Sequence, residues 1–215
     1  MNLPRFRAVA WDIDGTLVDS EPLHHEALLA AGHNWDVDLS DLPDQAFRGI
    51  HVGDVWKLLT PRLPADIIEA DWHEAINDHY VGHYERLVAI PEAVATMRAL
   101  AGLGVRQVCV SNSARRVVDA NIKSLGIEDI IEFSLSFDDV TVGKPDPEPY
   151  LAACRKLSLQ PGEVVAVEDS RSGVTSARAG GLYVVGYLPS GGDFGEVDLA
   201  TDRLSSVLEL FRAGN

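Results

Sequence analysis

The chain has 215 residues, of which 46% are hydrophobic and 24% charged, as in an ordinary globular protein with a large core. Its net charge of −15 argues against nucleic acid or an anionic membrane surface as a partner, because both would repel the protein. Two cysteines are too few for a disulfide framework, and no apolar run approaches the roughly 20 residues that span a bilayer. We therefore expect a cytoplasmic protein that acts without nucleic acid or membrane. A monomer or weak dimer is expected as well.

The first predicted element is a buried strand over the apolar residues 6–10, and the ten residues after it read WDIDGTLVDS. Asp12 and Asp14 point the same way along an extended chain, so they would repel each other unless a cation neutralised them. Gly15 permits a turn with positive φ, and Thr16 can donate a hydrogen bond. The alternative is an ordinary polar turn, but this order of residues is long and specific.

In the segment after this turn, apolar residues recur at helical spacing, and no convincing strand is predicted. A helix is predicted over residues 21–31 and a longer one over 66–87, where apolar residues recur at near-helical spacing. Between them, glycines and prolines break residues 33–64 into short helical pieces at 44–47 and 54–59.

From residue 91 onwards, helices and strands alternate, which predicts a parallel, doubly wound α/β sheet. The strands are predicted at 105–110, 131–136, 164–167 and 182–187, and the helices at 91–101, 114–125, 146–157, 172–179 and from 202. The chain is thus predicted to form an α/β core domain from residues 1–19 and 88–215, with an all-helical domain of residues 20–87 inserted after the first turn. An insertion there would cover the ligand-binding edge of the sheet as a cap.

Three further polar stretches lie at or near the ends of predicted strands. Ser111 and Asn112 combine a hydroxyl with free backbone N–H groups before a helix, which suits a phosphate oxygen, although they could simply cap that helix. Lys144 lies in a Gly-Lys-Pro loop and could neutralise an anion, although it could also be a surface lysine. Glu168 and Asp169 follow an apolar strand, where a hard cation would relieve their repulsion, although a solvated turn is the alternative.

Together, these four stretches resemble the four motifs of the haloacid dehalogenase-like hydrolase superfamily, in its subgroup with a helical cap, over nearly the whole chain. The resemblance implies a Rossmann-like core and magnesium-dependent phosphoryl transfer. It implies that Asp12 is a nucleophile that forms an aspartyl-phosphate, while Asp14 protonates the leaving oxygen and then activates water. Mg²⁺ would be held by the Asp12 side chain, the Asp14 backbone carbonyl, Glu168 and Asp169, with Lys144 as the catalytic cation.

The same resemblance implies a phosphate site. Ser111 would supply its hydroxyl and Asn112 an adjoining backbone and amide contact, with Gly15 and Thr16 from the first turn. Lys144 would contact both the phosphate and the nucleophile.

Substrate choice is expected to come from the cap, where the candidates that face the phosphate are His24, Arg48, His51 and Lys57. His24 matches a position where β-phosphoglucomutases and several sugar-phosphate phosphatases of the superfamily also have histidine. The mutases place a second cation three residues after a glycine of a cap loop, where this chain has Val52, which counts against a mutase. Arg48 could supply a cation one element earlier or be a solvated helix residue.

The sequence therefore predicts a phosphatase for a small phosphorylated metabolite, either a sugar phosphate or a phosphoglycolate-type acid. A β-phosphoglucomutase-like mutase remains an alternative, because it would use the same aspartyl-phosphate. A 2-haloacid dehalogenase is disfavoured because halide displacement does not require a metal site. An inert binding protein is disfavoured because no catalytic position is missing.

Overall fold

The computed structural model of the chain describes residues 6–42, 52–189, 191 and 195–212, without the side chains of Val52 and Asp54. Eight strands lie within these residues: β1 (Ala8–Trp11), β2 (Val18–Asp19), β3 (Val88–Ala89), β4 (Arg106–Val110), β5 (Phe133–Leu135), β6 (Val164–Glu168), β7 (Tyr183–Tyr187) and β8 (Leu199–Thr201). The helices are α1 (Glu21–His33), α2 (Val52–Leu59), α3 (Glu69–Gly82), α4 (Ala93–Gly102), α5 (Arg115–Leu125), α6 (Glu148–Leu157) and α7 (Arg171–Ala179).

Six strands form one sheet in the order β5-β4-β1-β6-β7-β8, and every neighbouring pair is parallel. Both faces of the sheet are buried, which agrees with the continuous apolar runs of β1 and β6. On β1, Val9 and Trp11 pack in a cluster with α4 and α5, whereas Ala8 and Ala10 pack in a second cluster with α6 and α7. Helices thus cover both faces, and the predicted doubly wound α/β fold is confirmed.

The central strand β1 is where the winding of the sheet reverses. β4 pairs with one edge of β1 and β6 with the other, so the chain builds outwards first in one direction and then in the other. In such sheets, ligands bind in the crevice at the carboxyl ends of the strands beside the reversal. Asp12, Ser111 and Glu168 lie at the carboxyl ends of β1, β4 and β6.

Between β2 and β3, the described residues form α1, α2, α3 and short 3-10 segments, which pack in a third cluster around Trp72 and Tyr80. β2 pairs antiparallel with β3, with Val18 opposite Ala89, where the chain leaves and re-enters the α/β part. Arg48, His51 and the predicted helical piece at 44–47 lie outside the described residues. No helix in the described parts of the chain is long and apolar enough to cross a membrane.

Several details differ from the sequence-based prediction. The helix predicted over 66–87 ends at Gly82, because the next residue leaves the helical region of φ and ψ. The segment predicted as a helix from residue 202 is a 3-10 helix at Leu204–Phe211, whose buried Leu204 and Val207 are three residues apart, as the 3-10 period requires. The short strands β2, β3 and β8 were not predicted, because two or three residues carry no readable alternation.

Candidate active site

The Lys144 ammonium joins two acidic side chains at the carboxyl ends of β1 and β6. Its Nζ donates to Asp12 Oδ1 at 2.7 Å and to Glu168 Oε1 at 2.6 Å, and its third donor reaches the Val110 carbonyl at 2.8 Å. All three donors of the ammonium are therefore used inside the protein. The Lys144 side chain is only 3% exposed, so it is not the surface lysine that the sequence alone allows.

The loop that carries Lys144 is held by Asn112. The Asn112 Oδ1 accepts a hydrogen bond from the Lys144 backbone N–H at 2.8 Å, and its Nδ2 donates to the Lys144 carbonyl at 2.9 Å. Both polar ends of the Asn112 amide are engaged by this loop. The side chain of Asn112 thus positions Lys144.

Three acidic residues, Asp12, Glu168 and Asp169, place carboxylate oxygens within 4.8 Å of one another. Burial and the nearby Glu168 charge raise the pKa of Asp12 well above its usual value and raise that of Asp169 to about 7. If all three ionise, Lys144 neutralises one charge and two negative charges remain. A divalent cation with oxygen ligands fits this site, and Mg²⁺ is such a cation.

Two glycines make room for the acidic side chains. Gly15 has φ +82°, and a Cβ built on it would lie 2.1 Å from Asp169 Oδ2. A Cβ on Gly173 would lie 1.9 Å from the carboxylate carbon of Glu168. Thr16 donates from Oγ1 to Asp169 Oδ1 at 3.2 Å. In this structure, Gly15 and Thr16 thus support the acidic cluster.

Asp14 lies in a different environment, a cage of hydrogen-bond donors. Its Oδ2 accepts from Ser111 Oγ at 3.1 Å and Ser113 Oγ at 2.9 Å, while its Oδ1 accepts from Asn121 Nδ2 at 3.0 Å. His24 Nε2 lies 3.4 Å from the same Oδ1. Burial alone would raise the pKa of Asp14, but the hydrogen bond and charge of His24 and the hydroxyl of Ser113 outweigh it and lower the pKa far below its usual value.

The structure brings most of the predicted site residues together at one edge of the sheet. The exceptions in the inserted segment are Lys57, which is exposed on α2, and Arg48 and His51, which lie outside the described residues. His24 is at the site, where it contacts Asp14.

Several residues at the site were missed from the sequence. Tyr150 donates from its hydroxyl to Glu168 Oε1 at 2.5 Å, and Ser113 and Asn121 contact Asp14. Ser113 could have been inferred from its place beside Ser111. Tyr150 and Asn121 lie within helices, where their spacing gives no signal beyond that of a core residue.

Comparison with known proteins connects this site to a family. A family model described as a haloacid dehalogenase-like hydrolase matches residues 6–181. Protein CbbY of Rhodobacter capsulatus is 32% identical over 94% of this chain and 95% of its own length. A phosphoglycolate phosphatase of Yersinia pestis is also 32% identical, over 95% of this chain and 90% of its own length.

A likeness to solved structures supports the fold. A mutant of CbbY from Rhodobacter sphaeroides, in complex with xylulose-(1,5)bisphosphate, has a TM-score of 0.84 at 23% identity. The match covers 93% of this chain and 95% of that chain. The similarity thus includes the parallel sheet and the inserted helices.

Proposed function

The chain belongs to the haloacid dehalogenase-like hydrolases, and on this basis we propose that it hydrolyses a small phosphorylated metabolite through an aspartyl-phosphate on Asp12, with Mg²⁺ as cofactor. The family and its phosphatase relatives confirm the predicted class of enzyme, a phosphoric monoester hydrolase. The proposed substrate is a sugar phosphate or a phosphoglycolate-type acid.

The observation that carries this proposal is the contrast between the environments of Asp12 and Asp14. Asp12 faces a cation and two acids, whereas Asp14, two residues later, is surrounded by hydrogen-bond donors. Two carboxylates in different environments can take two chemical roles. Hydrolysis through a covalent intermediate requires two such roles, one for a nucleophile and one for an acid and base.

Asp12 is the nucleophile in this mechanism. One of its carboxylate oxygens attacks phosphorus, the bond from phosphorus to the ester oxygen breaks, and Asp14 gives that oxygen a proton. Asp14 then takes a proton from water, which attacks the aspartyl-phosphate and releases inorganic phosphate. Lys144, fixed at 2.7 Å from Asp12 Oδ1, offsets negative charge at the reacting oxygens in both steps.

Substrate binding shifts the protonation equilibrium of Asp14 towards its protonated form. In the free protein, its donors favour the ionised form, which is the form that activates water. We propose that Ser111 turns its hydroxyl to the phosphate, with Gly15, Thr16 and Asn112 near it. Asp14 then loses a donor and gains a negative neighbour, and both changes favour its protonated, acidic form.

The metal would be held by the side chains of Asp12, Glu168 and Asp169 and by the backbone carbonyl of Asp14. When bound, it supplies positive charge to the nucleophile and the phosphoryl oxygens. Tyr150 and Lys144 hold Glu168 Oε1 from two sides, at 2.5 and 2.6 Å, so the orientation of this ligand is fixed by the protein.

We propose that residues 20–87 form the cap domain, that residues 1–19 and 88–215 form the core, and that the cap sets substrate choice. His24 supports this assignment, because it lies on α1 and contacts Asp14. The predicted cations Arg48, His51 and Lys57 remain candidates for the rest of the substrate. The proposal also places the protein in the cytoplasm, as a monomer or weak dimer that does not act on nucleic acid, in keeping with its net charge of −15.

The test is a screen of phosphorylated metabolites that measures released phosphate with Mg²⁺ and with excess chelator. 2-Phosphoglycolate, sugar monophosphates and sugar bisphosphates cover the proposed class. We expect release that requires Mg²⁺; hydrolysis of none of these compounds would overturn the proposal.

A second assay separates hydrolysis from transfer. The enzyme is incubated with glucose 1-phosphates and glucose 6-phosphate, with and without a bisphosphate primer, and both products are followed by NMR. We expect hydrolysis to dominate. Isomerisation at least about tenfold faster than phosphate release would assign a mutase instead, a difference of about 1.4 kcal/mol in barrier.

A further inference from the structure

Tyr80, on the inserted helix α3, supports both groups that face one oxygen of Asp14. Its hydroxyl donates to Asn121 Oδ1 at 2.7 Å, and its ring stacks on the His24 ring with centroids 4.4 Å apart. Asn121 Nδ2 and His24 Nε2 in turn lie 3.0 and 3.4 Å from Asp14 Oδ1. Tyr80 is therefore linked to Asp14 through two intermediate residues, Asn121 and His24.

The hydrogen bonds through Asn121 can run in only one direction. An ionised carboxylate accepts hydrogen bonds and cannot donate them, so Asn121 must present its NH₂ group to Asp14. This leaves the Asn121 carbonyl oxygen for Tyr80, which must donate. Burial raises the pKa of Tyr80 far above its usual value, so its hydroxyl keeps the proton that this arrangement requires. Tyr80 thereby fixes the orientation of the Asn121 amide, with its NH₂ group towards Asp14.

The burial of Asn121 indicates a role beyond packing. Asn121 and Tyr80 are both 0% exposed, and Asn121 lies on the buried side of α5 with Val118 and Ile122. An apolar residue would fill such a position without a polar group to satisfy. Both ends of the Asn121 amide have partners, one on the inserted helix α3 and one at the active site.

We propose that Tyr80 is a positioning residue that acts through Asn121, so that this one hydrogen bond between α3 and α5 sets the orientation of the Asp14 carboxylate. This inference rests on the proposed role of Asp14 as acid and base. It predicts that Asp14 is correctly placed only when α3 is docked on α5. The cap would then contribute to the chemical steps as well as to substrate choice.

The test uses Tyr80→Phe, which removes the hydroxyl and keeps the ring on His24. Single turnovers with p-nitrophenyl phosphate separate two steps: release of p-nitrophenolate reports phosphorylation of Asp12, and release of phosphate reports hydrolysis of the aspartyl-phosphate. The first step needs little proton donation because nitrophenolate leaves readily, whereas the second needs Asp14 as base. We expect a change of less than about twofold in the first step and a loss of about tenfold in the second, below the roughly hundredfold cost of a 1 Å misplacement.

A double-mutant cycle tests the route through Asn121. Asn121→Ala removes the amide, and we expect it to slow the second step at least as much as Tyr80→Phe does. In the Asn121→Ala background, Tyr80→Phe should then have no further effect, because the group through which Tyr80 acts is gone. If Tyr80→Phe does not fold, Asn121→Ala breaks the same hydrogen bond from its other end and carries the same prediction for the two steps.

Arg116→Ala is the matched control, because it removes other contacts between the same two helices. Arg116 on α5 pairs with Glu74 at 2.9 Å and with Asp78 at 2.6 Å on α3, and it makes no contact with Asp14. We expect both steps to stay within about twofold of the wild type, since exposed ion pairs contribute little.

Three results would overturn the inference alone: equal slowing of both steps by Tyr80→Phe, additive effects in the cycle, or the same defect in Arg116→Ala. If the wild type releases no phosphate from p-nitrophenyl phosphate or any metabolite, the proposed function fails, and the inference fails with it. Circular dichroism melts of every variant separate these outcomes from unfolding.

Discussion

Replacing Asp169 with asparagine should make the metal-free protein more stable while removing its response to Mg²⁺. The pKa of Asp169 is raised from 3.8 to about 7 because the carboxyl is buried beside Glu168. Ionising it at pH 7.5 therefore opposes folding. A rise of this size in the pKa corresponds to a cost of about 4 kcal/mol for ionising the carboxyl in the folded protein. Because Asp169 keeps some contact with solvent, we expect Asp169→Asn to raise the free energy of unfolding by about 2 kcal/mol.

The sign of the pH dependence follows from the same pKa. Between pH 4 and 7, the folded protein binds more protons at Asp169 than the unfolded chain does, so stability falls as the pH rises. In chelator, the wild type should be more stable at pH 5.5 than at pH 7.5, and Asp169→Asn should show a flatter dependence. The stability lent by carboxyls with lowered pKa, such as Glu26, is lost as the pH falls from about 4.5 to about 2, which is below both pH values of this comparison.

The assay is unfolding by denaturant with and without Mg²⁺. A cation that binds only the folded state raises the free energy of unfolding by about 2.7 kcal/mol when its concentration is a hundred times its dissociation constant. Asp169→Asn should lose most of this stabilisation by Mg²⁺. Asp66→Asn, at an exposed turn, makes the same change in net charge and should alter stability by less than about 0.5 kcal/mol. Destabilisation of the metal-free protein by Asp169→Asn at pH 7.5 would contradict this role of Asp169, and so would equal stabilisation of the variant and the wild type by Mg²⁺.

Lys144→Ala should destabilise the metal-free protein by about 3–5 kcal/mol, because Asp12 and Glu168 lose their buried counterion; a loss below about 1 kcal/mol in denaturant unfolding would contradict this. Gly15→Ala should weaken Mg²⁺ binding in calorimetry at least about tenfold, because its Cβ would meet Asp169 at 2.1 Å; unchanged affinity would show that the acidic cluster adapts. Calcium should inhibit phosphate release in a competition assay with Mg²⁺, because its larger and looser coordination shell misplaces Asp12; equal activity with either ion would count against the proposed role of the metal.

The functional residues that directly follow an apolar strand could be predicted from the sequence. Runs such as residues 164–167 are recognisable as buried strands, and the carboxyl ends of parallel strands meet at one edge. The sequence alone therefore predicts that Asp12, Ser111 and Glu168 lie near one another. The same reasoning placed the inserted helices beside this edge.

Residues that act from within helices could not be predicted in this way. The apolar pattern of α3 assigns Tyr80 to the core, and nothing local shows that its hydroxyl meets Asn121, 41 residues later in the chain. Asn112 was recognised, but its partner depended on the path of the Lys144 loop. Contacts of this kind depend on how separate elements pack, and periodicity within one element carries no information about that.

The central claim is that Asp12 becomes phosphorylated during turnover. The most direct measurement is to quench the working enzyme with acid and search its peptides for a phosphoryl group by mass spectrometry, with Asp12→Asn as the control. We predict a phosphorylated Asp12 peptide that disappears in Asp12→Asn, together with a loss of activity to less than about a thousandth of the wild type. Steady phosphate release from Asp12→Asn, or a phosphoryl group on another residue, would contradict the account.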